Sequence, residues 1–167
     1  MTLVAGGGKK FIEGITSSSG SADGGKLVAT DATTGRLDAS LMPNGFGILS
    51  VTATATESLT VGFVNLYNSS GYKVRKAVAT AKGTKAIGYV TQAYSTGDAV
   101  TVYFDNGVLG GLSGLTPDAD YYLSDTVAGG ITTTPPTTGT GKIVQFVGVA
   151  KSATELMVSI EEAAELG

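Results

Sequence analysis

Ala86-Ile87-Gly88-Tyr89-Val90 and, further along, Phe146-Val147-Gly148-Val149-Ala150 are the two stretches on which the fold turns. Each is a short apolar run about a central glycine, the pattern of a strand between turn residues. Outward from them the match continues. Leu59-Thr60 followed by Phe63-Val64-Asn65-Leu66-Tyr67 corresponds to Leu115-Thr116 followed by Asp120-Tyr121-Tyr122-Leu123-Ser124. Downstream, Asp98-Ala99-Val100-Thr101-Val102 corresponds to Thr154-Glu155-Leu156-Met157-Val158. The offsets run from 56 residues (Leu59 to Leu115) to 60 (Ala86 to Phe146), and the order is kept throughout. A duplicated β unit follows, with copies at about 57–105 and 113–160. Neither copy can bury its apolar face alone, and packing the two together closes one core.

Composition agrees. Hydrophobic residues make up 42% of the 167, enough for a core, but 25 are Gly and only 15% are charged. Thr, Val and Tyr between Gly-marked turns suit pleated surfaces, whereas helices favour Leu, Glu, Lys and Arg at 3.6 spacing. Strands are expected over Ile48–Ala55, Val61–Tyr67, Tyr72–Ala79, Ala86–Ala93, Ala99–Phe104, Tyr121–Ser124, Ile131–Thr134, Ile143–Ala150 and Glu155–Ile160. Asp105-Asn106-Gly107 reads as a hairpin turn, because Asn-Gly tolerates positive φ. Pro135-Pro136 cannot donate to a ladder, so the strand before it ends there or runs along an edge. The expected fold class is all-β, a small β-barrel or two-layer sandwich built from the duplicated unit, preceded by an extended N-terminal arm.

That arm is residues 1–47, and the β domain is 48–167. Gly6-Gly7-Gly8, Ser17-Ser18-Ser19-Gly20-Ser21 and Gly24-Gly25 separate short apolar islands. The islands are Phe11-Ile12 with Ile15, Leu27-Val28, Leu37, and Leu41-Met42, none long enough to build a core. Leu37 to Met42 is expected to form one helical turn that Pro43 ends. Apolar side chains without a core of their own are candidates for partner grooves. Phe11, Ile12, Ile15, Leu27, Val28, Leu37, Leu41 and Met42 are therefore the expected partner-binding residues of the arm. Fully extended, it would reach roughly 150 Å at 3.3 Å per residue.

Chemistry has little to work with. The chain has no His and no Cys, which removes the commonest general base, the thiolate nucleophile and zinc-thiolate sites. Neither Ser-x-x-Lys nor Gly-x-Ser-x-Gly occurs, and Gly6-Gly7-Gly8-Lys9-Lys10 lacks P-loop spacing. No catalytic residue and no cofactor are expected. Asp118, Asp120 and Asp125 resemble a hard-cation cluster, but Thr116-Pro117-Asp118-Ala119 is also ordinary turn chemistry, and turn is the reading taken. Asp98 and Asp105 likewise read as turn residues. The net charge of −3 is dispersed, so nucleic acid is not an expected partner. Lys73, Arg75 and Lys76 alternate as a solvated strand face. No apolar run reaches membrane-spanning length, so no membrane association is expected. Seven tyrosines leave a sugar-stacking or protein-binding face open. Tyr121 and Tyr122 are adjacent on a strand, so one of them must face outward and is the candidate surface contact.

Gly25 to Pro43, reading GKLVATDATTGRLDASLMP, resembles a segment common in virion proteins of tailed phages. The same holds for Leu115 to Ser124 with Gly129 to Pro136, and for the closing Ile143 to Leu156. The resemblance implies a virion structural protein, most like a capsid decoration (cement) protein: a small β domain, often trimeric, seated on the major capsid protein. By that implication the chain is a homo-oligomer on the phage head surface, assembled in the host cytoplasm. A head-fibre or tail-attachment module is the alternative within the virion, and a carbohydrate-binding β domain the alternative outside it. Since the aspartates read as turn residues, EDTA should leave the thermal midpoint unchanged. A large drop in a calorimetric scan would instead make Asp118, Asp120 and Asp125 a cation site.

Overall fold

The computed structural model describes residues 3–6, 10–24, 26–33, 35, 37, 41 and 49–167. Contacts divide the chain into two units, Met1–Gly47 and Ile48–Gly167. In the first, β1 (Leu3–Gly6) pairs antiparallel with β2 (Lys10–Ile15), and β2 pairs parallel with β3 (Leu27–Val28). These strands are not legible in the sequence: the Gly and Ser runs between the apolar islands read as an arm without strand periodicity. The helical turn expected at Leu37 to Met42 falls mostly on residues 38–40 and 42, outside the described residues.

The second unit opens with a closed barrel. Its strands are β4 (Ser50–Ala55), β5 (Gly62–Asn68), β6 (Tyr72–Lys76), β7 (Gly88–Val90) and β8 (Ala99–Tyr103), in the order β4-β6-β5-β7-β8. Closure comes from two pairings of β4. It runs antiparallel to β8 from Ser50↔Tyr103 to Thr54↔Ala99, and its far end runs parallel to β6 at Thr54↔Lys73 and Ala55↔Val74. Alternation then sends Ala53, Ala55, Val64, Val74, Val90, Val100 and Val102 inward with Leu59. Small and β-branched side chains suit this interior, because five strands enclose little space.

A second sheet follows, built from β9 (Val108–Leu109), β10 (Asp120–Leu123), β11 (Ile131–Thr132), β13 (Phe146–Ala150) and β14 (Leu156–Val158). Its order is β11-β10-β13-β14-β9. Put β10 for β5, β11 for β6, β13 for β7, β14 for β8 and β9 for β4, and this is the barrel order with one pairing missing. The duplicated β unit is therefore present as topology, but the first copy closes a core of its own with β4, and the layer between the copies is a second core instead of the single one expected. The copies differ at the seam: β9 and β11 have two residues each and do not pair, so the second sheet stays open. A further pair, β12 (Ile143–Val144) with β15 (Ala164–Glu165), stands beside it.

The open sheet packs its inner face on the outside of the barrel. Phe63, Tyr89 and Tyr103 from β5, β7 and β8 meet Leu109, Tyr121, Leu123, Val147, Leu156 and Val158 in one apolar cluster. Tyr89 stands between its neighbours, 6.5 Å from the Phe63 ring and 5.8 Å from that of Tyr103. At the edge of this layer Gln145 is buried and fully bonded. Its Oε1 accepts from the Ala86 N–H at 2.8 Å, and its Nε2 donates to the carbonyls of Ala86 at 2.9 Å and Glu161 at 3.0 Å. That residue also divides the expected Ile143–Ala150 strand in two.

One further expectation changes and another holds. Asn106 does adopt positive φ (67°), but its turn makes no hairpin. β8 stays in the barrel and β9 pairs with β14, so the turn carries the chain from one layer to the other. Ahead of Pro135, β11 stops at Thr132 and is an edge strand.

Gly88 and Gly148 hold corresponding places, each lying on the backbone of the next strand. A Cβ at Gly88 would fall 2.5 Å from the Tyr103 carbonyl oxygen, and one at Gly148 would fall 2.2 Å from that of Met157. Gly148 also has φ 152°, which L side chains rarely adopt. Gly148→Ala should therefore destabilise by about 2–5 kcal/mol, combining overpacking with backbone strain. Gly111→Ala, where only Val61 methyls at 3.9 Å are near, should lose about 1–2 kcal/mol from its φ of 79°. Urea titration of the two variants measures the difference.

Candidate functional site

Two surface features of the β domain are candidates for contact with a partner. The first is the outer face of the open sheet. A β-bulge between Tyr121 and Tyr122 sets which side chains reach it. Tyr121 pairs with Gly148 and Tyr122 with Phe146, leaving Val147 as the extra residue. Val147 and Tyr121 then face the core, while Phe146 and Val149 face out. The outer face carries a row across four strands, Asp120–Val149–Met157–Val108, in direct cross-strand register. Beside it runs Thr132–Tyr122–Phe146, with Tyr122 edge-on to Phe146 at 5.8 Å. Met157 is 48% exposed and Val108 46%.

Of the two candidate tyrosines, the structure selects Tyr122. Tyr121 is buried, and its hydroxyl accepts the Thr116 N–H at 3.0 Å, so it is no surface contact. The sequence showed that one must face out; the bulge decides which. The other rings do not make a shared platform. Tyr89 is buried, and the Arg75 guanidinium lies 4.7 Å over the Tyr67 ring. Burial chiefly, with the charges of Tyr103 and Asp105, raises the Tyr89 phenol above its ordinary pKa.

The second feature is a cleft of about 480 Å³ at the open seam. It lies between Gly111–Leu115, which follow β9, and Val127–Ile131, which lead into β11. Where β4 runs Thr52-Ala53-Thr54-Ala55 to close the barrel, the second copy runs Gly110-Gly111-Leu112-Ser113-Gly114. The glycines leave the gap, walled by Val61, Phe63, Leu112, Leu115, Tyr121 and Ile131. No Asp, Glu, Lys or Arg lines it. Such a cleft suits an apolar side chain, not charge or proton transfer.

Among the described residues, no three acidic side chains gather so as to hold a metal. Asp118 sits at a turn with φ 63°, and Asp125 is bonded to the Lys142 ammonium at 2.8 Å. Asp98 accepts the Ser95 N–H and Asp105 that of Ile160.

In the first unit, Leu27 is 40% exposed, Val28 55% and Leu37 44%, while Ile15 and Leu41 are half-buried. Phe11 and Ile12 lie within β2, and Met42 is outside the described residues. No protein-family model matches the chain, and comparison with curated proteins finds no match.

The Asp125–Lys142 pair generates a pH prediction. The hydrogen bond from Lys142 holds the Asp125 carboxyl below its usual range. Its stabilising contribution is thus present above the ordinary carboxylate pKa and lost as pH falls through the depressed one. Asp125→Asn should lower the melting temperature at neutral pH and leave it unchanged near about pH 2. Equal losses at both values would show that the pair acts through packing instead of charge.

Proposed function

We propose that this chain is a non-enzymatic virion structural protein that decorates and stabilises a phage capsid. It binds the major capsid protein through its arm and its β domain. The observation that carries the reading is that Leu27, Val28 and Leu37 stand in water within the segment that resembles tailed-phage virion proteins. Large apolar side chains left exposed together point to a surface covered in use. Among the described residues, the buried members of the two cores come from residues 53–163.

Magnitudes decide how attachment works. Burying one such side chain contributes about 1.5–3 kcal/mol. Ordering each residue of a Gly/Ser-rich segment opposes this by about 1–2 kcal/mol. One arm gains little net affinity, so attachment depends on several subunits acting together, where linkage raises avidity without new contacts.

Leu37→Asp with Leu41→Asp should abolish occupancy on purified heads and lower the temperature at which heads release DNA. Occupancy is read by cryo-EM of the particles. Unchanged occupancy would remove the arm as anchor and move the contact to the β domain. Lost occupancy with unchanged head stability would leave attachment without cementing.

A further inference from the structure

The β domain is electrically lopsided. Residues 48–104, which hold the barrel, carry Lys73, Arg75, Lys76, Lys82 and Lys85 against Glu57 and Asp98, a net of +3. Residues 105–167, which hold the open sheet, carry Lys142 and Lys151 against eight carboxylates, a net of −6. Internal pairing sharpens the division. Lys142 bonds Asp125, Lys151 bonds Glu155, and Lys85 reaches across to Glu162. Among the described residues, Lys73, Arg75 and Lys76 make no ion pair on the barrel, and Asp105, Asp118, Asp120, Glu161 and Glu165 make none on the sheet half. Lys82 makes none either, but lies close enough to help Lys85 hold the Glu162 carboxyl below its usual range.

Some of these charges mark two faces of different make. On the barrel, Lys73 and Arg75 share the outer face of β6. The Arg75 Nε donates to Asn65 Oδ1 and its Nη2 to the carbonyl of Gly83, next to Lys82, so the cations form one group with Tyr67 beneath. On the sheet, Asp120 ends the apolar row Val149–Met157–Val108, and the Glu161 N–H bonds the carbonyl of Phe146. Duplication shows what is unusual about that row. Tyr89↔Tyr103 in β7 and β8 corresponds to Val149↔Met157 in β13 and β14. Tyr89 is buried and Tyr103 half-buried under the open sheet, whereas Val149 is half-buried and Met157 exposed.

We infer that the bare acidic face of the open sheet docks on the basic barrel face of a second copy of this chain, head to tail. Charge complementarity selects the occupant: a cationic surface with exposed Tyr72 at its margin matches an apolar row that ends at the Asp120 carboxylate, with Glu161 bonded through its backbone beside Phe146. A contact between two different faces either closes into a ring or runs on as a filament. The inference rests on the chain being a homo-oligomer, and it holds whether or not a capsid is the final partner.

Charge reversal in the full-length chain tests it, with mass read by sedimentation velocity. Wild type should self-associate, and more weakly as salt rises from roughly 50 to 500 mM. Lys73→Glu with Lys82→Glu should weaken association at least about tenfold, and so should Asp120→Lys with Glu161→Lys. The chain carrying all four reversals should regain it, as should an equimolar mixture of the two double variants. Circular dichroism checks that each variant is folded; for one that is not, Asp120→Asn with Glu161→Gln or Lys73→Ala with Lys82→Ala gives the same reading in lesser degree. A wild type monomeric at every soluble concentration overturns the inference. So does a double variant with wild-type mass, or a fourfold variant that stays monomeric. A monomer that still attaches to heads would sink this contact and spare the capsid reading, while an associating chain that attaches to no head would do the reverse.

Discussion

The β domain depends on the joint between its two layers, and Gln145 marks the point where that joint is polar. A buried amide with an unmet donor or acceptor would destabilise by about 1–3 kcal/mol per group. Here all three of its bonds are made, and two reach Ala86, a residue that precedes β7 of the barrel. The same residue interrupts the strand it belongs to, so β12 turns away to pair with β15 while β13 continues in the sheet. Around it the apolar layer of Phe63, Tyr89, Leu123 and Leu156 has no directional preference of its own. The hydrogen bonds supply direction and the apolar layer supplies most of the free energy.

Duplication explains why the domain has one closed and one open half. Both copies lay their strands in one order, and both place a glycine where β7 crosses close to β8 and β13 close to β14. They part company at the seam. Six residues of β4 can pair with β8 and still reach β6, whereas the Gly-rich run after β9 cannot hold a ladder. An open sheet can spread over the outside of a closed barrel, and two closed barrels could not share so broad a layer. The seam cleft and the bare outer row both follow from that asymmetry.

Candidate contact residues were legible to different degrees. Alternation alone limits Tyr121 and Tyr122 to one outward ring, but the choice needs the bulge at Val147. The outer row of Val108, Val149 and Met157 was missed because its members lie on three strands far apart in the chain. Val108 gives no local signal, sitting in a two-residue strand. The charge division between residues 48–104 and 105–167 was present in the sequence all along. It reads as dispersed until the layers are known, since only then do the two intervals become two faces.

What the sequence determined by itself is the β class and the existence of two related copies. Both are local or periodic properties: strand-forming runs between turn residues, repeated at offsets of 56 to 60. Tertiary structure decided which copy closes, where the Asn106 turn sends the chain, and which side chains face water. Those outcomes rest on pairings between distant strands, such as β4 with β6 or β14 with β9. A one-residue change in register reverses every side chain of a strand, and no local pattern encodes a register that a bulge has shifted.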